Sequence, residues 1–319
     1  MAKAYHANDS FPPVADVARA TTIAQSVPMK MLQFTALSTA LLLPATAAHT
    51  EPAQQAFRVG DTYEITKTRD SSSQGSDASS GSSHDQDTLI ERIEAVRPDG
   101  LEVVFDLPQQ ATKEDRRRTW QFPARLFEPR DGQLQLLNGP ELEKRVDAWL
   151  KWGKMTREAC GHWIFTWNAF KIECDPHSVI ETVQQFDPRL PDLRAGALYR
   201  DAHALRPAPL TMKASSSEGS TFTAVMPIDP KAVQHDRAEA DVVIGEIMRK
   251  PVTLDAALVQ REKEAVSGTI EVTINADAGG NLLSMTRVTK SQTKKSDGMV
   301  QTETVKETLE RRLLSSRKP

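Results

Sequence analysis

Two cysteines in 319 residues are too few for a disulfide scaffold, so a packed apolar core must hold the chain, with one bridge at most. An excess of charge of one sign is also missing. Forty Lys and Arg stand against 43 Asp and Glu, a formal charge of −3 with both signs interspersed. That balance gives no support for nucleic acid or an anionic membrane as partner. The chain has no G-x-S-x-G, P-loop, dinucleotide fingerprint, H-E-x-x-H or internal repeat. These absences lower the prior for the commonest enzymes, and no cofactor or metal is implied.

One apolar run is present, near the start. Met29-Lys30 is a short basic opening, Met31 to Leu43 is mostly apolar, Pro44 breaks the run and Ala45-Thr46-Ala47-Ala48 supplies small residues. This is the order of a secretory signal peptide over 29–48. The run is shorter than the roughly 20 residues that cross a bilayer. Residues 1–28 precede a plausible initiator, Met29, and read as a start taken too early. The expected mature chain is a single domain from about His49 to Pro319, long enough for a real core and without a membrane-spanning segment. Its expected location is periplasmic or secreted.

Aromatic residues concentrate in one stretch. Trp149 to His177 holds four of the five tryptophans (Trp149, Trp152, Trp163, Trp167), Phe165 and Phe170, and both cysteines, Cys160 and Cys174. Such density marks a core centre or the wall of a ligand site, with Trp149, Trp163, Trp167 and Phe170 as the candidate wall. Cys160, Trp163, Ile164, Trp167, Phe170 and Cys174 fit a helical stripe. A straight helix would hold the two Cα atoms about 21 Å apart. A disulfide needs roughly 5.5–6 Å. Export favours the disulfide Cys160–Cys174, so the segment is expected to turn back near Trp167-Asn168-Ala169. The alternative is zinc held by Cys160, His162, Cys174 and His177, although one residue between Cys160 and His162 is cramped for a single ion.

Phe57 to Thr68, Thr88 to Val96 and Leu101 to Leu107 read as strands, the last two around Pro98-Asp99-Gly100. Residues 69–87 are rich in Ser, Gly and Asp and read as a flexible loop. Its adjacent Ser83, His84 and Asp85 are composition rather than a catalytic triad, whose members converge from separate elements. Asn138 with Glu141 resembles a capping arrangement, and Leu142, Val146, Trp149 and Leu150 form a helical stripe. Asp175-Pro176 is expected to open a second helix and Asp229-Pro230 a third. Residues 189–220, rich in Pro, Ala and Ser, read as a long connection. Thr253 to Val266 reads as helix. Thr269 to Asn275, Leu282 to Thr289 and Met299 to Leu314 read as strands. The Asp277 to Asn281 turn resembles a calcium loop but puts Thr286 where the bidentate Glu belongs, so it reads as a glycine hairpin.

The fold expected from this order is α+β: an antiparallel curved sheet, half-barrel-like, built from N- and C-terminal strands with a helical layer from the middle of the chain. In architecture alone it resembles exported half-barrel proteins of the lipoprotein-carrier kind. The expected function is non-catalytic: an envelope protein binding an apolar or amphipathic ligand, or a protein partner. One alternative is a periplasmic hydrolase using His162 or His177 with Asp175 or Glu173. Another is a structural envelope component pairing through an edge strand.

Overall fold

A computed structural model describes residues 57–130, 132–165, 169–186 and 193–316, and the side chain of Ala169 is not described. The signal segment 29–48 and the residues before it lie outside the described residues.

The N-terminal meander comprises β1 (Thr62–Gly75), β2 (Ser80–Arg97), β3 (Gly100–Asp106), a short helix α1 (Lys113–Arg118), β4 (Ala124–Pro129) and β5 (Gln135–Leu136). Then come α2 (Gly139–Trp152), the small hairpin β6 (Trp163–Phe165) and β7 (Ala169–Lys171), and α3 (Ser178–Gln184). A second small pair, β8 (Leu198–Tyr199) with β9 (Ala208–Pro209), leads into β10 (Thr211–Ser215) and β11 (Gly219–Pro227). The chain continues with α4 (Pro230–Ile247), α5 (Leu254–Arg261), β12 (Ala265–Asp277), β13 (Leu282–Lys294) and β14 (Val300–Ser315).

Ten strands form one curved, unclosed antiparallel sheet in the order β10-β11-β12-β13-β14-β1-β2-β3-β4-β5. The expected α+β class with a half-barrel-like sheet is what the chain adopts. Each end of the chain supplies a five-strand meander, and β1 pairs with β14 from Thr62–Ser315 to Gly75–Gln301 to fuse them.

Both cores lie on one face, here called the inner face. In the N-terminal half, Ile65, Leu89, Ile93, Val103, Phe105 and Leu126 meet Leu142, Val146 and Leu150 of α2 and Val179 and Val183 of α3. Phe222, Ala224, Met226, Ile270, Val272 and Ile274 build the second core. Full burial of a Leu, Ile or Phe is worth about 1.5–3 kcal/mol, so alternation along the strands fixes which face turns inward. Asp229 caps α4 through the Lys231 N–H (2.9 Å), with Pro230 in its first turn, as expected.

Several expectations are corrected. Residues 69–87 are not a loop. Residues 69–75 continue β1 and 80–87 begin β2, with a tight turn between. Composition there cannot bury apolar surface, but the order comes from backbone ladders to β14 and between the two strands. The stretch 189–220 is not one unstructured connection, since β8, β9, β10 and the start of β11 lie within its described part. Helix α5 stops at Arg261, and Ala265 already begins β12. Asn138 makes no cap bond to α2. Instead its Oδ1 accepts from the Arg125 N–H (2.9 Å), and its Nδ2 donates to Glu141 (3.2 Å).

Candidate functional site

Cys160 and Cys174 are joined, with their Cα atoms 5.7 Å apart. The helical stripe is therefore overturned. Trp163, Ile164 and Phe165 pair with Lys171, Phe170 and Ala169 as a hairpin whose ends the disulfide holds together. With both sulfurs in that bond, neither thiolate can bind zinc, so the Cys/His metal set falls. Trp167 lies outside the described residues.

Alternation in so short a hairpin sorts its aromatics onto two faces. Ile164 and Phe170 stand opposite one another and pack on the N-terminal core, as do Trp149 and Cys160. Trp163 and Phe165 share the other face. Trp163 is half-buried and Phe165 is 58% exposed. Glu246 of α4 docks the hairpin: its Oε1 accepts from the Trp163 N–H at 3.1 Å and lies 3.2 Å from His162 Nδ1. The same turns of α4 leave Ile244 and Met248 exposed, at 56% and 61%, one helical turn apart on one face. Ile244 and Met248 stand two residues either side of Glu246, so they face away from the side of α4 that docks the hairpin, and Phe165 is exposed on the hairpin's own outer face.

His177 Nδ1 lies 3.3 Å from Asp175 Oδ1, and both side chains are open to solvent. His162 finds Glu246 rather than Asp175 or Glu173. Glu173 spends its carboxylate on the Cys174 and Asp175 N–H groups, at 2.8 and 2.9 Å.

A second constellation, without a sequence motif, lies where the two meanders meet. On the inner face Arg287 of β13 donates to Asp201 from Nε (2.7 Å) and Nη2 (3.1 Å), and to Glu307 of β14 from Nη1 (2.9 Å). Arg69 of β1 donates to the other Glu307 oxygen at 2.6 Å. His203 Nε2 lies 2.8 Å from Asp236 of α4, and its Nδ1 lies 3.3 Å from Arg287 Nη2. Burial works against ionising Asp201 and Glu307, yet Arg287 holds Asp201, and Arg69 with Arg287 holds Glu307, below the usual carboxylate range. The Asp236 bond raises His203 above its ordinary value. Burial pushes Tyr199 up to about 12. With a guanidinium in front of Nδ1, His203 has no nucleophile to activate. The cluster ties the connection before β9 and α4 to the middle of the sheet.

No protein-family model matches the chain. No curated protein matches it. A solved structure titled "Lipid-protein interactions in lipovitellin" aligns with 83% of this chain and 26% of its own length, at 7% identity and a TM-score of 0.37. A hot dog fold protein from Alicyclobacillus acidocaldarius aligns over 82% of this chain and 81% of its own, at 10% identity and a TM-score of 0.10. Neither likeness carries an argument about this protein.

Proposed function

We propose that this is an exported, non-catalytic binding protein that presents the β6–β7 hairpin to an apolar or amphipathic ligand. The observation that carries the reading is Phe165: a large aromatic held in water by a disulfide-closed hairpin. A large aromatic held in water on a fixed hairpin is suited to contact an apolar ligand. The joined sulfurs are compatible with a periplasmic or extracellular location, where such bonds persist. Among the described residues, no helix is long and apolar enough to cross a membrane.

The histidine–carboxylate contacts favour binding over hydrolysis. His162 and His177 face solvent beside single carboxylates, and the half-buried His203 faces a cation. A general base needs a positioned nucleophile to serve.

The test is titration of the oxidised protein with a short-chain fatty acid and with a lysophospholipid below their critical micelle concentrations, followed by tryptophan fluorescence. Saturable binding that Phe165→Ser weakens supports the reading. Binding unchanged in that variant, or absent with both lipids, overturns it.

A further inference from the structure

The inner face carries a row of charges whose sign alternates strand by strand. Arg287 on β13 stands opposite Glu307 on β14, Glu307 opposite Arg69 on β1, and Arg69 opposite Asp85 on β2. Ion pairs at 2.9 and 2.6 Å close the first two steps. Two residues along, Lys67 on β1 stands opposite Asp87 on β2. Both rows stop at β2 on a carboxylate.

There β2 has no outer neighbour among the described residues. Its pairing with β3 begins only at Ile90, so Ser80 to Leu89 form a free edge. The hydrogen-bond phase of this edge is fixed at both ends. The Gly75 N–H donates to the Ser79 carbonyl at 2.7 Å, and the Ile93 N–H donates to the Asp61 carbonyl at 2.9 Å. Odd-numbered residues of β2 therefore aim their backbone groups at β1. Ser80, Ser82, His84, Gln86 and Thr88 aim theirs outward. The opposite edge of the sheet, β10, is interrupted by a bulge between Met212 and Ala214 and carries Lys213, two devices that discourage strand addition. Between Ser80 and Leu89 there is no bulge, proline, lysine or arginine, and His84 Nδ1 lies 2.6 Å from Asp70 on the neighbouring strand.

We infer that this edge of β2 accepts an extended polypeptide of a partner protein as an eleventh strand, with Lys or Arg at alternate positions. Its backbone takes the outward groups of the even-numbered residues. Its cations fall opposite Asp85 and Asp87 and continue both charge rows by one step. This surface is separate from the β6–β7 hairpin, so the inference stands apart from the reading above.

The probe is a synthetic peptide of about nine residues alternating threonine and lysine, with the alternating threonine–glutamate peptide as control. Affinity for the full oxidised chain is read by fluorescence anisotropy at low and high salt. The expected result is saturable binding of the lysine peptide alone, weakened by salt. Asp85→Asn and Asp87→Asn should each weaken it up to about fivefold, the worth of an exposed ion pair. Gln86→Pro removes an outward N–H and should abolish binding while leaving the circular dichroism spectrum intact. Equal binding of the two peptides, or of neither, overturns the inference. So does self-association of the wild-type chain that Gln86→Pro abolishes, which would make a second copy the occupant.

Discussion

Asp201 holds Arg287 with both carboxylate oxygens, so a connection between two small strands is fastened to the middle of the ten-stranded sheet. Both side chains are largely buried, at 7% and 17% exposed. Removing one member of such a pair strands its partner, at a cost of about 3–5 kcal/mol. Arg287→Ala is therefore expected to lower the unfolding free energy by roughly that amount. Urea titration checks it. The double variant Asp201→Leu with Arg287→Met should recover much of the loss, since it leaves neither charge behind.

His203 gives the stability a pH dependence of defined sign. Its folded value lies above the ordinary one because Asp236 accepts its Nε2 proton, against burial and the facing Arg287, with Asp201 assisting. The stabilisation from protonation is thus full below the unfolded value, near 6.5, and fades as pH rises through the folded value. The stability difference between wild type and His203→Gln should be larger at about pH 5.5 than at about pH 8.5. Chemical denaturation at both pH values measures it, and a difference that grows with pH contradicts the assignment.

The bond between Cys160 and Cys174 closes a loop with a sequence separation of 14. Loops of this size gain about 3 kcal/mol from a bridge. Cys160→Ser with Cys174→Ser should lose about that much and speed proteolysis of the hairpin before global unfolding. Limited proteolysis with mass spectrometry reads both effects.

Phe165 should behave differently from Phe170, although they lie on adjoining strands. Phe165→Ser is expected to change stability by no more than about 0.5 kcal/mol, as for an exposed side chain. Phe170→Ser removes an aromatic packed against the N-terminal core and should cost about 2–4 kcal/mol. Thermal unfolding of the two variants separates surface from core.

The strands at both ends of the chain, the α2 stripe and the α4 cap were legible because period-two alternation, period-3.6 stripes and Asp-Pro caps are local signals. The disulfide was expected from the export signal, and the cysteine spacing then required the segment to fold back. Strand residues 69–75 and 80–87 were not legible. They have no apolar alternation, and their order comes from the ladder between them and from β14, which pairs with 69–75 from more than 200 residues away in sequence. The same non-locality hid Arg287, Glu307, Asp201, His203 and Asp236. Among the described aromatics of the tryptophan stretch's hairpin, Phe165 is the most exposed, and it was not among the candidate wall residues. Ile244 and Met248 were not legible as exposed, since they share one stripe with Val233, Ala240, Val243 and Ile247, while the helix buries Ala238 and Gly245 on another side.

The first and last strands of the sheet lie side by side at its centre. A ribosome therefore delivers β14 only after every other strand has been made, and until then β1 offers its unmatched flank along fourteen residues. A product cut short before Val300 would keep that sticky margin for good, splitting the molecule into two separate ribbons prone to clumping.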